Sequence, residues 1–462
     1  MRFLLLLLAA CATTVPTPVE VRAHLGIPYA HAARWEPAQL VDRPALGKRG
    51  PACPQPEEGF HRDTDEDCLN LNVWAPSDAR GAPVFVWIHG GAFYQGSGGD
   101  DLYDGARLAK RTGMVVVTIN YRLGALGFVS FRDRPLPPLG LLDQRVALQW
   151  VQRHIAAYGG DPRNVTIAGE SAGGWSVCSQ LAMPGSRGLF AKAIIMSGAC
   201  SDALYKSADE AVALGDQLMT AVGCTDAACM AALPVDKLVT ALKMRRGLLL
   251  LPGVWWSPFV DGVELPKVPL VAIRAGEAAQ VPLLLGTARD EGTLHTMFYD
   301  AVTPDELAWF VTSTFGDKVD PAQLPHGDTE KATLAMVVND GIFHCNARRV
   351  ARLMKTPVFL YQFSHALNGP PNVHALGPTH SIDLFFLFGM PTAGIGPDAS
   401  EQPLVDRVED LWAAFARTGD PGHGWPRYDP ATDADLELDT TPRVDHGLKR
   451  AVCDQWDALS RY

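Results

Sequence analysis

Short unbroken apolar runs alternate along this chain with longer stretches whose apolar positions recur at helical spacing. The runs in "APVFVWIHGG", "GMVVVTINYR", "NVTIAGES" and "AKAIIMSG" each read as a buried strand, as do those in "AAQVPLLLGTARDEG" and "TPVFLYQFSHALNG". Between and after them, "LGLLDQRVALQWVQRHIAAYGG" and "QPLVDRVEDLWAAFARTGDPG" carry the helical period and stop at glycine. Strands alternating with helices predict an α/β fold: a mostly parallel central sheet with helices on both faces. In such sheets ligands sit beyond the carboxyl ends of the strands, so the chemistry is sought in the loops that follow them.

One such loop holds a serine between glycines. Gly169-Glu170-Ser171-Ala172-Gly173 closes the run Val165–Ala168 and opens a helix-compatible segment, which is the setting a G-x-S-x-G nucleophile elbow needs. The sharp turn leaves no room for bulk two residues either side of the serine. It also points the Ala172 N–H at a developing oxyanion. A second Gly-rich turn, His89-Gly90-Gly91-Ala92, ends another strand and supplies backbone donors from a separate loop. No Lys-Ser/Thr pair follows these glycines, which argues against a phosphate loop. His89 reads as a residue that orders its own loop.

A serine hydroxyl needs a base, and the base needs an orienting acid, in the chain order Ser, acid, His. Asp290 and Glu291 directly follow a strand and supply the acid. For the base, His365, His374, His380 and His423 all lie on loops, and spacing does not choose among them.

Composition narrows the alternatives. The 462 residues are 47% hydrophobic, enough for a large core, and the formal charge of −11 is spread without blocks. Such a surface disfavours nucleic acid and anionic membranes as partners. Length alone suggests about three domains, but the residues that must act together are far apart in sequence. Residues 24–462 therefore read as a single domain. No Cys/His cluster implies a metal, and no dinucleotide fingerprint implies a cofactor. Asn164-Val165-Thr166 is a formal glycosylation sequon, but it enters a predicted core strand.

The start, "MRFLLLLLAACATT", is too short to span a bilayer and reads as an export signal over residues 1–11, followed by a tether over residues 12–23. Leu8-Ala9-Ala10-Cys11 has the form of a bacterial lipobox ending at a lipidated Cys11, and cleavage after Ala12 is the rival. Export to the periplasm, to the outer membrane as a lipoprotein, or to the medium follows, with a lipid on Cys11 as the sole membrane link. Eight further cysteines in an exported chain invite disulfides. Loop closure favours Cys53 with Cys68 and Cys224 with Cys229. Cys178, on a predicted core helix, reads as a free buried thiol.

Taken as an ordered set, "GIPYA", "GPACPQ", "EDCLNLNVWAP", "WIHGGAF", "NYRLGALGF", "AGESAGG", "MSGAC", "FVDG", "DEGT", "THSIDLFFLFG" and "FARTGDP" resemble the type-B carboxylesterase/lipase family, from about residue 24 to near the end. That family has the α/β-hydrolase fold and cleaves carboxylic esters through an acyl-enzyme. The resemblance implies Ser171 as nucleophile, Glu291 as acid and His380 as base. It further implies Gly91, Ala92 and Ala172 as oxyanion donors and Ser197 as a serine supporting the triad. Asp383 stands where the family pattern usually has Glu. A Cys345–Cys453 bridge is implied too, leaving Cys178 and Cys200 over. Trp255 and Trp256 fall near the family's acyl pocket. The loop between Cys53 and Cys68 is short and lacks Trp, which removes the aromatic platform for quaternary ammonium and weakens a choline-ester reading. A short-to-medium acyl esterase acting on small-molecule esters is therefore expected. The rivals are a lipase on long-chain acylglycerols and a non-catalytic adhesion relative.

Overall fold

A computed structural model describes residues 19–56, 63–198, 200, 205–242, 255–316, 319–392 and 394–460. The export signal and Cys11 lie outside the described residues. The strands run in chain order as β1 (Val21–Pro28), β2 (Ala30–His31), β3 (Gln39–Leu40), β4 (Asn70–Pro76) and β5 (Ala82–Ile88). They continue as β6 (Val115–Ile119), β7 (Gly160–Glu170), β8 (Lys192–Met196), β9 (Lys206–Ser207) and β10 (Phe259–Val260). The last are β11 (Leu283–Ala288), β12 (Val358–Phe363), β13 (Ala434–Leu438) and β14 (Arg443–His446).

Ten of them form one sheet in the order β1-β4-β6-β5-β7-β8-β11-β12-β13-β14. From β6 to β13 every neighbouring pair is parallel, and the outer strands β1, β4 and β14 pair antiparallel. Each predicted apolar run is thus a strand of the parallel region. The runs are continuous because both faces are covered. Val84, Val86 and Ile88 of β5 join the core on one face, together with Leu141, Leu148 and Val177 of the helices Leu139–His154 and Ala172–Ala182. Phe85 and Trp87 of the same strand face the opposite core, with Leu411, Trp412 and Phe415 of the helix Gln402–Thr418. That helix ends at Gly419 in the left-handed conformation (φ 81°), the glycine stop read from the sequence.

β1 begins at Val21, inside the stretch expected as tether, because its backbone completes a ladder on β4. Cysteine pairing holds one correction. Cys53–Cys68, Cys224–Cys229 and Cys345–Cys453 are bonded as expected, but Cys178 is not a free thiol: it is bonded to Cys200. The helix after β7 and the loop after β8 run backbone against backbone there. A Cβ on Gly174 would stand 2.9 Å from Gly198 Cα. Two glycines let the segments approach closely enough for the cysteines to meet.

Candidate active site

β7 delivers Ser171 at its carboxyl end. Ser171 holds φ 55° and ψ −124°, outside the regions an L-residue favours, and the helix Ala172–Ala182 begins immediately after it. The glycines on either side make this turn feasible. A Cβ on Gly169 would stand 2.4 Å from the Gly173 carbonyl carbon, and one on Gly173 would stand 2.0 Å from the Ile88 oxygen. The second contact also places the β5 loop against the elbow. In that loop Gly91, Ala92 and Phe93 have φ of 102°, 52° and 62°, a run of left-handed residues that turns the backbone back towards Ser171. Among the described residues the N–H groups of Gly91 and Ala92 donate no hydrogen bond. Ala172 is the first residue of its helix, so its N–H has no partner within the helix. Three donors are therefore free at the mouth of the serine turn. His89 orders this loop as expected: its Nδ1 lies 2.8 Å from the Gly90 oxygen and its ring stacks on Tyr121 at 4.4 Å.

Glu291 follows β11 and is fully buried. Its backbone N–H donates to Asn339 Oδ1 at 2.9 Å, and its Oε1 accepts from the Ala288 N–H at 2.8 Å. The other oxygen, Oε2, lies 2.5 Å from His380 Nδ1. The loop carrying His380 is stitched to the Glu291 loop by the Asp290 N–H to the Pro378 oxygen (2.9 Å). Thr293 Oγ1 adds a bond to Thr379 Oγ1 (2.7 Å). Of the two neighbouring acids, Glu291 therefore meets the imidazole, while exposed Arg289 draws Asp290 away at 3.0 Å. The other loop histidines are engaged elsewhere or lie on the surface. His365 sits between Glu401 and Asp439, His374 bonds the Leu367 oxygen, and His423 is exposed.

The second imidazole nitrogen, His380 Nε2, has no hydrogen-bond partner among the described residues and makes none with Ser171. It lies 3.3 Å from Glu170 Oε1. A Cβ on Gly90 would stand 3.1 Å from Glu170 Oε2 and 3.3 Å from Ser171 Cβ. The Glu170 carboxyl thus lies against the imidazole and close to the loop that faces the Ser171 turn, and no serine–imidazole hydrogen bond is formed. Such bonds are often long before substrate arrives.

Burial controls the charges. It pushes the His380 imidazole well below its usual pKa. It raises the Glu291 carboxyl, against which the Ser197 hydroxyl, the neighbouring His344 and the Ala288 N–H pull. Ser197, left-handed at φ 45°, is near enough to lower that carboxyl, although its hydroxyl makes no hydrogen bond among the described residues. Glu170 is raised by burial and by Asp383. Ser381 Oγ donates to its Oε1 at 2.6 Å. Asp383 accepts from the Tyr361 hydroxyl at 3.0 Å and is itself raised by burial, then by Glu291.

The cleft at Ser171 is lined by Ala92, Trp175, Trp255, His295, Val338, Ile342 and Phe343. Of the two tryptophans singled out in the sequence, Trp255 lines this cleft. Trp256 is buried in the core, with its indole near Gly124. Sequence reasoning missed Glu170, His295 and Asn339. It also missed the π-helical turn Val338–His344, which carries Asn339 and three of the lining residues.

Comparison with known proteins follows the same line. A family model described as "Carboxylesterase family" matches residues 12–308 and 306–456. The chain belongs to the carboxylesterase family. It is 35% identical to the para-nitrobenzyl esterase of Bacillus subtilis (strain 168), over 91% of this chain and 92% of that one. It is 33% identical to the phenmedipham hydrolase of Pseudarthrobacter oxydans (88% and 90%) and 30% identical to the acetylcholinesterase of Bungarus fasciatus (96% and 79%). A solved para-nitrobenzyl esterase structure superposes with a TM-score of 0.83 at 33% identity, covering 94% of this chain and 96% of that one. The carboxylesterase is thus a serine hydrolase of α/β-hydrolase fold that cleaves carboxylic esters of small molecules.

Proposed function

We propose that this esterase works through a Ser171–His380–Glu291 relay with an acyl-enzyme intermediate. The observation that carries the reading is the 2.5 Å contact of Glu291 with His380 Nδ1, which leaves Nε2 without a hydrogen-bond partner among the described residues. With Glu291 accepting at Nδ1, the imidazole carries its proton there and offers a lone pair at Nε2. His380 Nε2 takes the Ser171 proton as the hydroxyl attacks the ester carbonyl. Gly91, Ala92 and Ala172 N–H groups receive the oxyanion, each such donor contributing about 2.7–4 kcal/mol. His380 then returns the proton to the leaving alcohol, and water clears the acyl group by the same route.

The walls that Trp255 and Phe343 give the cleft support short to medium acyl chains over long-chain acylglycerols. Paraoxon is expected to abolish p-nitrophenyl butyrate hydrolysis and to add one phosphoryl group, mapped by peptide mass spectrometry to Ser171. A stable adduct on another residue would refute the assignment. The four disulfides support export to an oxidising compartment. The mass of the mature N-terminus separates a lipid on Cys11 from cleavage after Ala12.

A further inference from the structure

His295 lies four residues after Glu291, on the short helix Glu291–Thr296. It is 4% exposed, yet it lines the cleft at Ser171, and its Nε2 has no hydrogen-bond partner among the described residues. Its ring lies 4.8 Å from the His380 ring and stacks on Phe343 at 5.9 Å. A second base for Ser171 would need an orienting carboxylate like the one His380 has, and among the described residues no carboxylate is hydrogen-bonded to the His295 Nε2. A core histidine would have its nitrogens satisfied, since a buried polar group without a partner is costly. The same want recurs beside it: the indole Nε1 atoms of Trp175 and Trp255, both lining the cleft, also lack partners among the described residues. Burial and the adjacent His380 imidazole keep His295 neutral, so it recognises by hydrogen bonding rather than by charge.

We propose that His295 is a specificity-determining residue whose Nε2 hydrogen-bonds a second polar oxygen of the substrate, beyond the scissile ester. The substrate class is then an ester bearing an ether, carbonyl or hydroxyl oxygen within reach of the cleft, in place of a plain hydrocarbon ester. This rests on the assignment of Ser171 as nucleophile, because that residue fixes where the ester sits. An ester whose remaining atoms are all hydrocarbon leaves the imidazole buried and unpaired, and so loses binding free energy in the transition state.

Two isosteric pairs test it. p-Nitrophenyl pentanoate and 3-methoxypropanoate differ by CH2 against O on the acyl side. Butyl and 2-methoxyethyl acetates differ likewise on the alcohol side. The ratio of kcat/KM within each pair is compared between the native enzyme and His295→Phe, which cancels the intrinsic reactivity of the esters. For at least one pair the preference for the ether is expected to fall about threefold to tenfold in the variant, as for loss of one hydrogen bond. His295→Gln, which keeps a donor, is expected to retain it. Should His295→Phe fail to fold, His295→Leu takes its place. Ratios unchanged for both pairs in the apolar variant would overturn the proposal. Failure of the nucleophile assignment would appear separately, as activity retained in Ser171→Ala.

Discussion

At the residue scale the site is a set of compromises that only the surroundings sustain. Ser171, Ala92 and Ser197 are non-glycine residues at φ of 55°, 52° and 45°, conformations that cost of order 1–3 kcal/mol each. All three sit where a hydroxyl or an N–H has to face the cleft or the Glu291 carboxylate. His380 shows how burial serves the chemistry. In the proposed relay the neutral imidazole is the base, and burial lowers its pKa from 6.5. The sign follows directly: the base stays unprotonated as pH falls towards 6.5 and is lost only as pH drops through the lowered value. The acid limb of kcat/KM is therefore expected below pH 6.5. A limb centred above that value, in a pH profile with a neutral ester, would mean that His380 is not the group titrating.

At the element scale, much of the site was legible and some was not. Strand, elbow and helix around Ser171 were readable because the run Val165–Ala168 and the glycines of "AGESAGG" each meet a local steric demand. The choice of His380 over His365, His374 and His423 was not readable from spacing. It depends on the stitching of the Asp290–Glu291 loop to the Pro378–Thr379 loop, contacts between segments far apart in the chain. Only the family resemblance pointed there. The π-helical turn Val338–His344 leaves no period in the sequence that differs from an ordinary helix, so its part in building the cleft stayed hidden. Cys178 was misread for a related reason. A helix position looks like core until the neighbouring loop is known. The Cys178–Cys200 bond ties the helix behind Ser171 to the loop behind Ser197 across 22 residues. Cys178→Ser with Cys200→Ser is expected to lower stability by about 3 kcal/mol, read as a lower urea midpoint. An unchanged midpoint would mean that the bond does not constrain the unfolded chain.

At the scale of the whole molecule, the parallel order β5-β7-β8-β11-β12 brings the carboxyl ends of separate strands to one edge. In the proposed relay β5 contributes the oxyanion loop, β7 the serine, β8 leads into Ser197, β11 into Glu291, and the loop after β12 brings His380. No two members of the proposed triad are neighbours in sequence, so strands from distant parts of the chain must fold together before the relay can form. The central claim is that these distant groups act as one relay ending at Ser171. Its most direct test is the kcat of Ser171→Ala on p-nitrophenyl butyrate, with circular dichroism to confirm the fold. The account predicts a loss on the order of 10⁴-fold to 10⁶-fold, as when the nucleophile of such a unit is removed. A folded Ser171→Ala enzyme that keeps a kcat within about tenfold of native would contradict it.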